Sequence, residues 1–342
     1  MSDKLALPSV QFSQTTAITR SLLGVVLSLL IATAAGLLTP QTAPIFAVFL
    51  LSPGSKALGI KKSLGAVAVL FFLGLGGVLL GSMIQDFMVE SILIVGLIIF
   101  WSLRLVSIPE PIRLMFLIYS ILFPLLSLTF ELLAPFVFME ILMNLGIALI
   151  VAQLAFILLP ESSPMSLPAT SQQQGSSTFN LDKIALNGLI VIFPVVILFF
   201  FYRPNNLILT LIYIVMLGMD PLIYKSKKVF VILLANLFGG IVAVVAYNLL
   251  TISPTFFFYS IVLLAASAFF TFNMYSDKKT RDMYPMAYRT FFVVMGVVSS
   301  TTDQVEGKLV DRLLGIILAV VYVVLAYHVL NIFNNPRINE KV

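Results

Sequence analysis

Ser21 to Ser55 runs for 35 residues without one charged side chain, and comparable charge-free runs recur along the rest of the chain. A charged group at the centre of a bilayer costs at least ~2.5 to 3.5 kcal/mol, so long uncharged apolar runs are the mark of membrane-embedded helices. Composition agrees: 60% of the 342 residues are hydrophobic and only 10% are charged, against about a quarter charged in an ordinary globular chain. A soluble fold is excluded. What remains is an all-α, polytopic integral membrane protein.

Charges and prolines mark the edges of the runs. Thr39-Pro40-Gln41-Thr42 interrupts the first with turn chemistry, which predicts helices over 20–38 and 42–53. Further spans are expected at 61–84, 88–106, 112–131 and 135–159, then at 184–202, 205–219, 227–250, 255–275, 284–301 and 304–331. The total is about twelve, with a range of ten to twelve because the short runs 42–53 and 205–219 suit re-entrant segments equally well. Residues 160–183, with Ser-Gln-Gln-Gln-Gly-Ser-Ser and no apolar periodicity, read as a flexible cytoplasmic linker. The expected organisation is therefore an N-terminal cytoplasmic segment over 1–19, a six-helix membrane repeat over 20–159, the linker, a second six-helix repeat over 184–331 and a cytoplasmic tail over 332–342. The apolar run after Arg20 lacks a small-residue cleavage pattern and leads at once into further apolar runs, so a retained first span is expected.

Lysine and arginine placement supplies an independent signal, since short cytoplasmic loops retain positive charge. With twelve spans, all of the 20 basic residues except Arg203, Lys308 and Arg312 fall on one side, which puts both termini in the cytoplasm. The net charge of +5 is on this reading a topological signal and implies no nucleic-acid partner. There is no cysteine and a single histidine, His328, so neither a thiolate nor an imidazole metal site is expected. No nucleotide loop, HExxH or other membrane-enzyme motif is found, and neither catalytic residues nor a cofactor are expected.

The halves resemble each other. A shift of 166 pairs Leu51, Lys61, Lys62, Phe72, Gly74 and Val78 with Leu217, Lys227, Lys228, Phe238, Gly240 and Val244, and a shift of 169 pairs Leu145-Gly146-Ile147 with Leu314-Gly315-Ile316. An even number of spans per copy gives parallel repeats, an arrangement found among secondary transporters, with a pathway between the halves. Gly74, Gly77 and Gly81 in one half and Gly239, Gly240 and Gly315 in the other are read as helix-packing positions, Gly77 and Gly81 forming a GxxxG pair.

Several residues are candidates for the transport pathway. Arg312, Asp311 and Glu140 sit inward from expected helix starts, where ionisable groups need partners or water; the alternative is interfacial charges that snorkel. Gly315 is expected to leave space beside the Arg312 guanidinium. Arg289, Asn144 and Asn236 are further pathway candidates, the asparagines serving equally well as interhelical hydrogen-bonding groups. Lys56, Lys61, Lys62, Lys225, Lys227 and Lys228 form equivalent basic loops, read either as topological determinants touching anionic lipid or as an electropositive cytoplasmic mouth.

The Arg20-Ser-Leu-Leu-Gly-Val-Val helix, the Leu38-Thr-Pro40 turn, Leu51-Ser-Pro53-Gly54 before a basic loop, and the final Arg312-Leu-Leu-Gly315 helix together resemble the fusaric-acid-resistance and aromatic-acid-exporter superfamily. The likeness is to its compact bacterial members. It implies a bacterial inner-membrane efflux permease for small organic, including aromatic, acids or toxic amphipathic compounds, driven by protons and working with a periplasmic adaptor protein. A homodimer is left open. The alternatives are a passive organic-anion channel and a non-transporting membrane scaffold subunit.

Overall fold

The computed structural model describes residues 8–84, 86–105, 110–129, 133–160, 181–203, 208–219, 228–253, 255–276, 280–299 and 305–334. Among these the chain is all-α, with twelve α-helices: α1 (Pro8–Ala34), α2 (Thr42–Leu50), α3 (Ile60–Met83), α4 (Met88–Arg104), α5 (Glu110–Thr129), α6 (Leu133–Leu158), α7 (Leu181–Tyr202), α8 (Ile208–Gly218), α9 (Lys228–Ile252), α10 (Phe256–Met274), α11 (Tyr284–Ser299) and α12 (Val305–Asn334). Most of the 160–183 linker lies outside the described residues.

Seven of the helices hold a stretch long and apolar enough to cross a membrane: Gln14–Ala34, Ile60–Met83, Leu133–Leu158, Asp182–Tyr202, Phe230–Ile252, Phe256–Met274 and Leu314–Asn331. The chain is thus a multi-pass membrane protein whose lipid contact follows from these helices. The count corrects the expectation of ten to twelve full crossings. At ~1.5 Å per residue the nine residues of α2 extend ~14 Å and the eleven of α8 ~17 Å, against a hydrocarbon core of ~30 Å. The apolar part of α5, Arg113–Leu128, is also short, as are α4 with 17 residues and α11 with 16. The inference that both termini share one side, which rested on twelve crossings, lapses with the count.

Local chemistry accounts for the two breaks around α2. At the end of α1, Gly36 takes a left-handed φ of 69° that side chains resist. Its N–H bonds to Thr33 O (3.0 Å) and that of Leu37 to Ala32 O (3.2 Å), the Schellman arrangement that satisfies terminal carbonyls. After α2, Pro53 lacks an N–H and disfavours helical backbone at Ser52, and Gly54 turns the chain with φ 82°.

The helices group into two compact units that do not follow the sequence halves. Unit 1 comprises Met1–Val67, Glu140–Ser176 and Leu234–Leu309; unit 2 comprises Ala68–Met139, Ser177–Leu233 and Val310–Val342. Unit 1 therefore holds α1, α2, most of α6, most of α9, α10 and α11, and unit 2 holds most of α3, α4, α5, α7, α8 and most of α12. Helices one, two and six of one half join helices three, four and five of the other. The 166-residue shift carries the boundary after Val67 onto that after Leu233. Within unit 1, α1 packs on α2 and α10, α2 on α11, and α10 on α11; within unit 2, α7 packs on α8 and α4, α8 on α5, and α4 on α5.

Glycines permit the close approaches inside each unit. In unit 2 a Cβ on Gly77 would lie 2.8 Å from Phe123 Cβ, and one on Gly81 2.7 Å from the Pro124 carbonyl, so α3 meets α5 across the GxxxG face. One on Gly74 would strike the Phe138 ring. In unit 1 a Cβ on Gly239 would collide with the Ala287 carbonyl, and Gly240 beside it is buried.

Candidate functional site

The site is built around the point where α2 stops, inside unit 1. A helix end leaves carbonyls without intrahelical donors, and in apolar surroundings each must find another. Leu51 N donates to Ala47 O (2.9 Å), Ser52 Oγ donates to Val48 O, and Ser55 Oγ reaches Phe49 O at 3.4 Å. The Leu51 carbonyl accepts from Tyr275 Oη (2.9 Å) just beyond α10, and Tyr275 is itself held through its carbonyl by Gln14 Nε2 (2.6 Å) on α1. Further on, Gln153 Nε2 of α6 donates to the Leu58 carbonyl and to Ser63 Oγ (3.1 Å). The non-helical stretch 51–59 is thus pinned by Gln153 of α6 and by Tyr275 at the end of α10, which Gln14 of α1 holds in turn.

Two arginines border this end of α2. The Arg289 guanidinium of α11 lies over the Phe49 ring at 3.9 Å while its Nε donates to Pro285 O (3.0 Å). Arg20 of α1 is only 5% exposed. Its guanidinium stacks over Phe156 at 4.1 Å, and Nη1 donates to the Leu159 carbonyl (3.3 Å) beyond the end of α6. Phe156 and Leu50 pack against a buried apolar cluster of Leu51, Ala152 and Ala155. Cations resting on aromatic faces among apolar side chains are suited to oxyanions attached to an apolar body.

The other candidates fall in different places. Glu140 stands early in the unit 1 part of α6, and its carboxylate accepts from Leu38 N (3.0 Å), Thr39 N (3.3 Å) and Thr39 Oγ1 (3.4 Å), clasping the segment that leads into α2. Asn144, one turn on, is fully buried; its Nδ2 donates to Glu140 O (2.8 Å), whereas Oδ1 has no hydrogen-bond partner. Asn236 of α9 accepts from Thr290 Oγ1 of α11 at 2.9 Å, an interhelical bond. Arg312 and Asp311 belong to α12, and their side chains lie outside the described residues. Gly315 does not leave open space: a Cβ there would stand 2.5 Å from Thr210 Oγ1 of α8. Lys56, Lys61 and Lys62 are exposed; Lys225 and Lys227 lie outside the described residues, as does the side chain of Lys228.

In unit 2 the end of α8 shows a related device, with Tyr327 Oη donating to the Gly218 carbonyl at 2.5 Å. Sequence reasoning singled out Arg289 but missed Tyr275, Gln14 and the burial of Arg20. The available signal was the Leu51-Ser-Pro-Gly break itself, which demands donors from elsewhere once its surroundings are apolar. No family model matches the chain, and neither a curated protein nor a solved structure matches it significantly.

The clasp at Glu140 makes a specific prediction. Glu140→Ala removes the acceptors of two backbone N–H groups, so amide exchange at Leu38 and Thr39 should speed up by at least about tenfold, the factor associated with ~1.4 kcal/mol. Exchange mass spectrometry on the purified protein reads this directly, with peptides from α10 serving as the unchanged internal reference.

Proposed function

We propose that this chain is a bacterial inner-membrane permease that exports small organic anions or toxic amphipathic acids, driven by protons, with a periplasmic adaptor as partner. The observation that carries the reading is the break at the end of α2. Non-helical backbone at membrane depth is tolerated only where protein buries it or where it lines a cavity, and interrupted helices mark the binding sites of secondary transporters. Two short helices at corresponding places, α2 and α8, with the matched unit boundaries, support the further reading of two parallel six-helix repeats that exchange helices. The permease reading does not require twelve full crossings, whereas parallel repeats require an even number of crossings in each half.

The preference for anions is supported by Arg20 and Arg289 at the break and by Lys56 in the loop that follows it with Lys61 and Lys62 in the first turn of α3, which would raise the local concentration of anions at a cytoplasmic mouth. We further propose Arg312 as an anion-passing residue, and Asp311 and Glu140 as carboxylates that couple transport to protons. On this reading no bond is made or broken in the cargo.

Proteoliposomes loaded with labelled benzoate test the function. Release should exceed that from protein-free vesicles by at least about tenfold and should depend on an imposed pH gradient; the tenfold criterion corresponds to ~1.4 kcal/mol in the barrier. Large currents that persist without the gradient would make the protein a channel, and absence of flux for a panel of organic acids would leave a scaffold role. Orientation is read separately in intact cells, since the chain has no cysteine of its own. A cysteine at Leu38, 81% exposed, should react with an impermeant reagent, and one at Lys56 should be protected. The reverse pattern would overturn a cytoplasmic mouth at Lys56.

A further inference from the structure

We propose that Arg20 is an oxyanion-binding residue, taking a carboxylate or phosphate carried on an apolar body. The inference deepens the permease reading by placing a ligand in it. It stands on the accounting of one guanidinium. Arginine presents five N–H donors and keeps its charge in any surroundings. Among the described residues the polar partner of Arg20 is one carbonyl, Leu159 O at 3.3 Å, and no carboxylate faces it.

The remaining partner is an aromatic ring, Phe156, at 4.1 Å. Arg20, at 5% exposure, is thus a buried cation with no counter-charge among the described residues. Removing a charge from water is costly unless an opposite charge compensates it. The next residue, Ser21, is fully buried, and its Oγ has no hydrogen-bond partner.

Helix dipoles alone do not answer the charge. The end of α6 offers Arg20 partial negative charge of about half an electron at most, which leaves unused donors and net positive potential. The surroundings set the rest of the ligand: Phe156 and Leu50 pack on the cluster of Leu51, Ala152 and Ala155, which favours an apolar body beside the oxyanion. Two sources share that chemistry. One is a free small organic acid, and the other is the phosphate of an anionic phospholipid.

Binding is measured without flux, on the full chain purified in neutral detergent, using labelled benzoate in equilibrium dialysis and native mass spectrometry for retained phosphatidylglycerol. Benzoate binding that falls at least tenfold in Arg20→Gln identifies a free acid. Retained phosphatidylglycerol that disappears in Arg20→Gln, without benzoate binding, identifies a lipid. Arg20→Lys keeps the charge and guards against a folding failure; loss of the planar fork should weaken the bound species by at least about threefold.

Wild-type protein that binds neither probe would overturn the proposal, as would a folded Arg20→Lys variant with unaltered binding. Glu161, two residues beyond Leu159 in sequence, lies outside the described residues and supplies the internal control. Glu161→Gln should leave affinity within about twofold, whereas a rise of tenfold would identify Glu161 as the natural partner of Arg20 and overturn the site. Arg20-dependent binding without any transport would sink the permease reading alone, and transport with no such binding would sink the site alone.

Discussion

Gly239→Leu is expected to abolish folded protein in the membrane, while Gly76→Leu should accumulate at the wild-type level. The contrast comes from what each new side chain meets. A Cβ on Gly239 collides with the Ala287 carbonyl and comes within 2.9 Å of Thr290 Cβ, whereas one on Gly76 has nothing within 4 Å. Overpacking costs ~1 to 3 kcal/mol where neighbours can yield, and a backbone carbonyl on a facing helix yields poorly. One turn away, Asn236 Oδ1 accepts from Thr290 Oγ1, and Asn236 is only 2% exposed. Prising α9 from α11 would strand this pair in apolar surroundings at a further ~1 to 3 kcal/mol. The sum is a large share of a total stability of ~5 to 15 kcal/mol. Size-exclusion profiles of detergent-solubilised variants check it, and a monodisperse Gly239→Leu protein that melts within ~2 °C of wild type would show that the α9–α11 approach is not needed.

The helices were legible in the sequence because the bilayer leaves little choice: an uncharged run must satisfy its own backbone, and the α-helix does so. Their lengths were less so. Charge-free length measures how much chain can be embedded, whereas turn residues decide how much of it stays helical. The run expected to be helical over 42–53 is helical over Thr42–Leu50, because Pro53 disturbs the residues before it as well as itself. For the run expected at 205–219, the described helix is Ile208–Gly218. Counting runs therefore overstated the number of full crossings.

Unit membership could not be read from the sequence, since it depends on contacts across most of the chain. The same distance hides the partners of the polar residues. Glu140 was recognisable as a carboxylate near a helix start, but its donors include the backbone N–H groups of Leu38 and Thr39, and backbone groups leave no trace in residue type. Arg289 was recognisable because a charge beside an apolar run stands out. Arg20 does not stand out in the same way, since nothing nearby in sequence announces that Phe156 and the Leu159 carbonyl will cover it.

A cysteine at Ser52 is expected to react with a membrane-impermeant thiol reagent and, once modified, to lose nearly all anion flux. Ser52 is the first residue past Leu51, at the stop of α2, and its hydroxyl caps the Val48 carbonyl. If α2 starts at the membrane edge, nine residues at ~1.5 Å each place Ser52 ~14 Å inside, near the middle of a ~30 Å core. A thiol reacts there only if water reaches it, because the thiolate is the nucleophile and does not form in hydrocarbon. The comparison is a cysteine at Phe72, on α3, 70% exposed but within the apolar stretch Ile60–Met83, so that its exposure is to lipid. The most direct test of a pathway at the end of α2 is thus the labelling rate of Ser52→Cys against Phe72→Cys, followed by benzoate release from proteoliposomes before and after modification. The account predicts fast labelling at 52, slow labelling at 72, and flux reduced at least about tenfold, or ~1.4 kcal/mol in the barrier, only when residue 52 is modified. Equal labelling at both positions, or full flux through the modified Ser52→Cys protein, would contradict it.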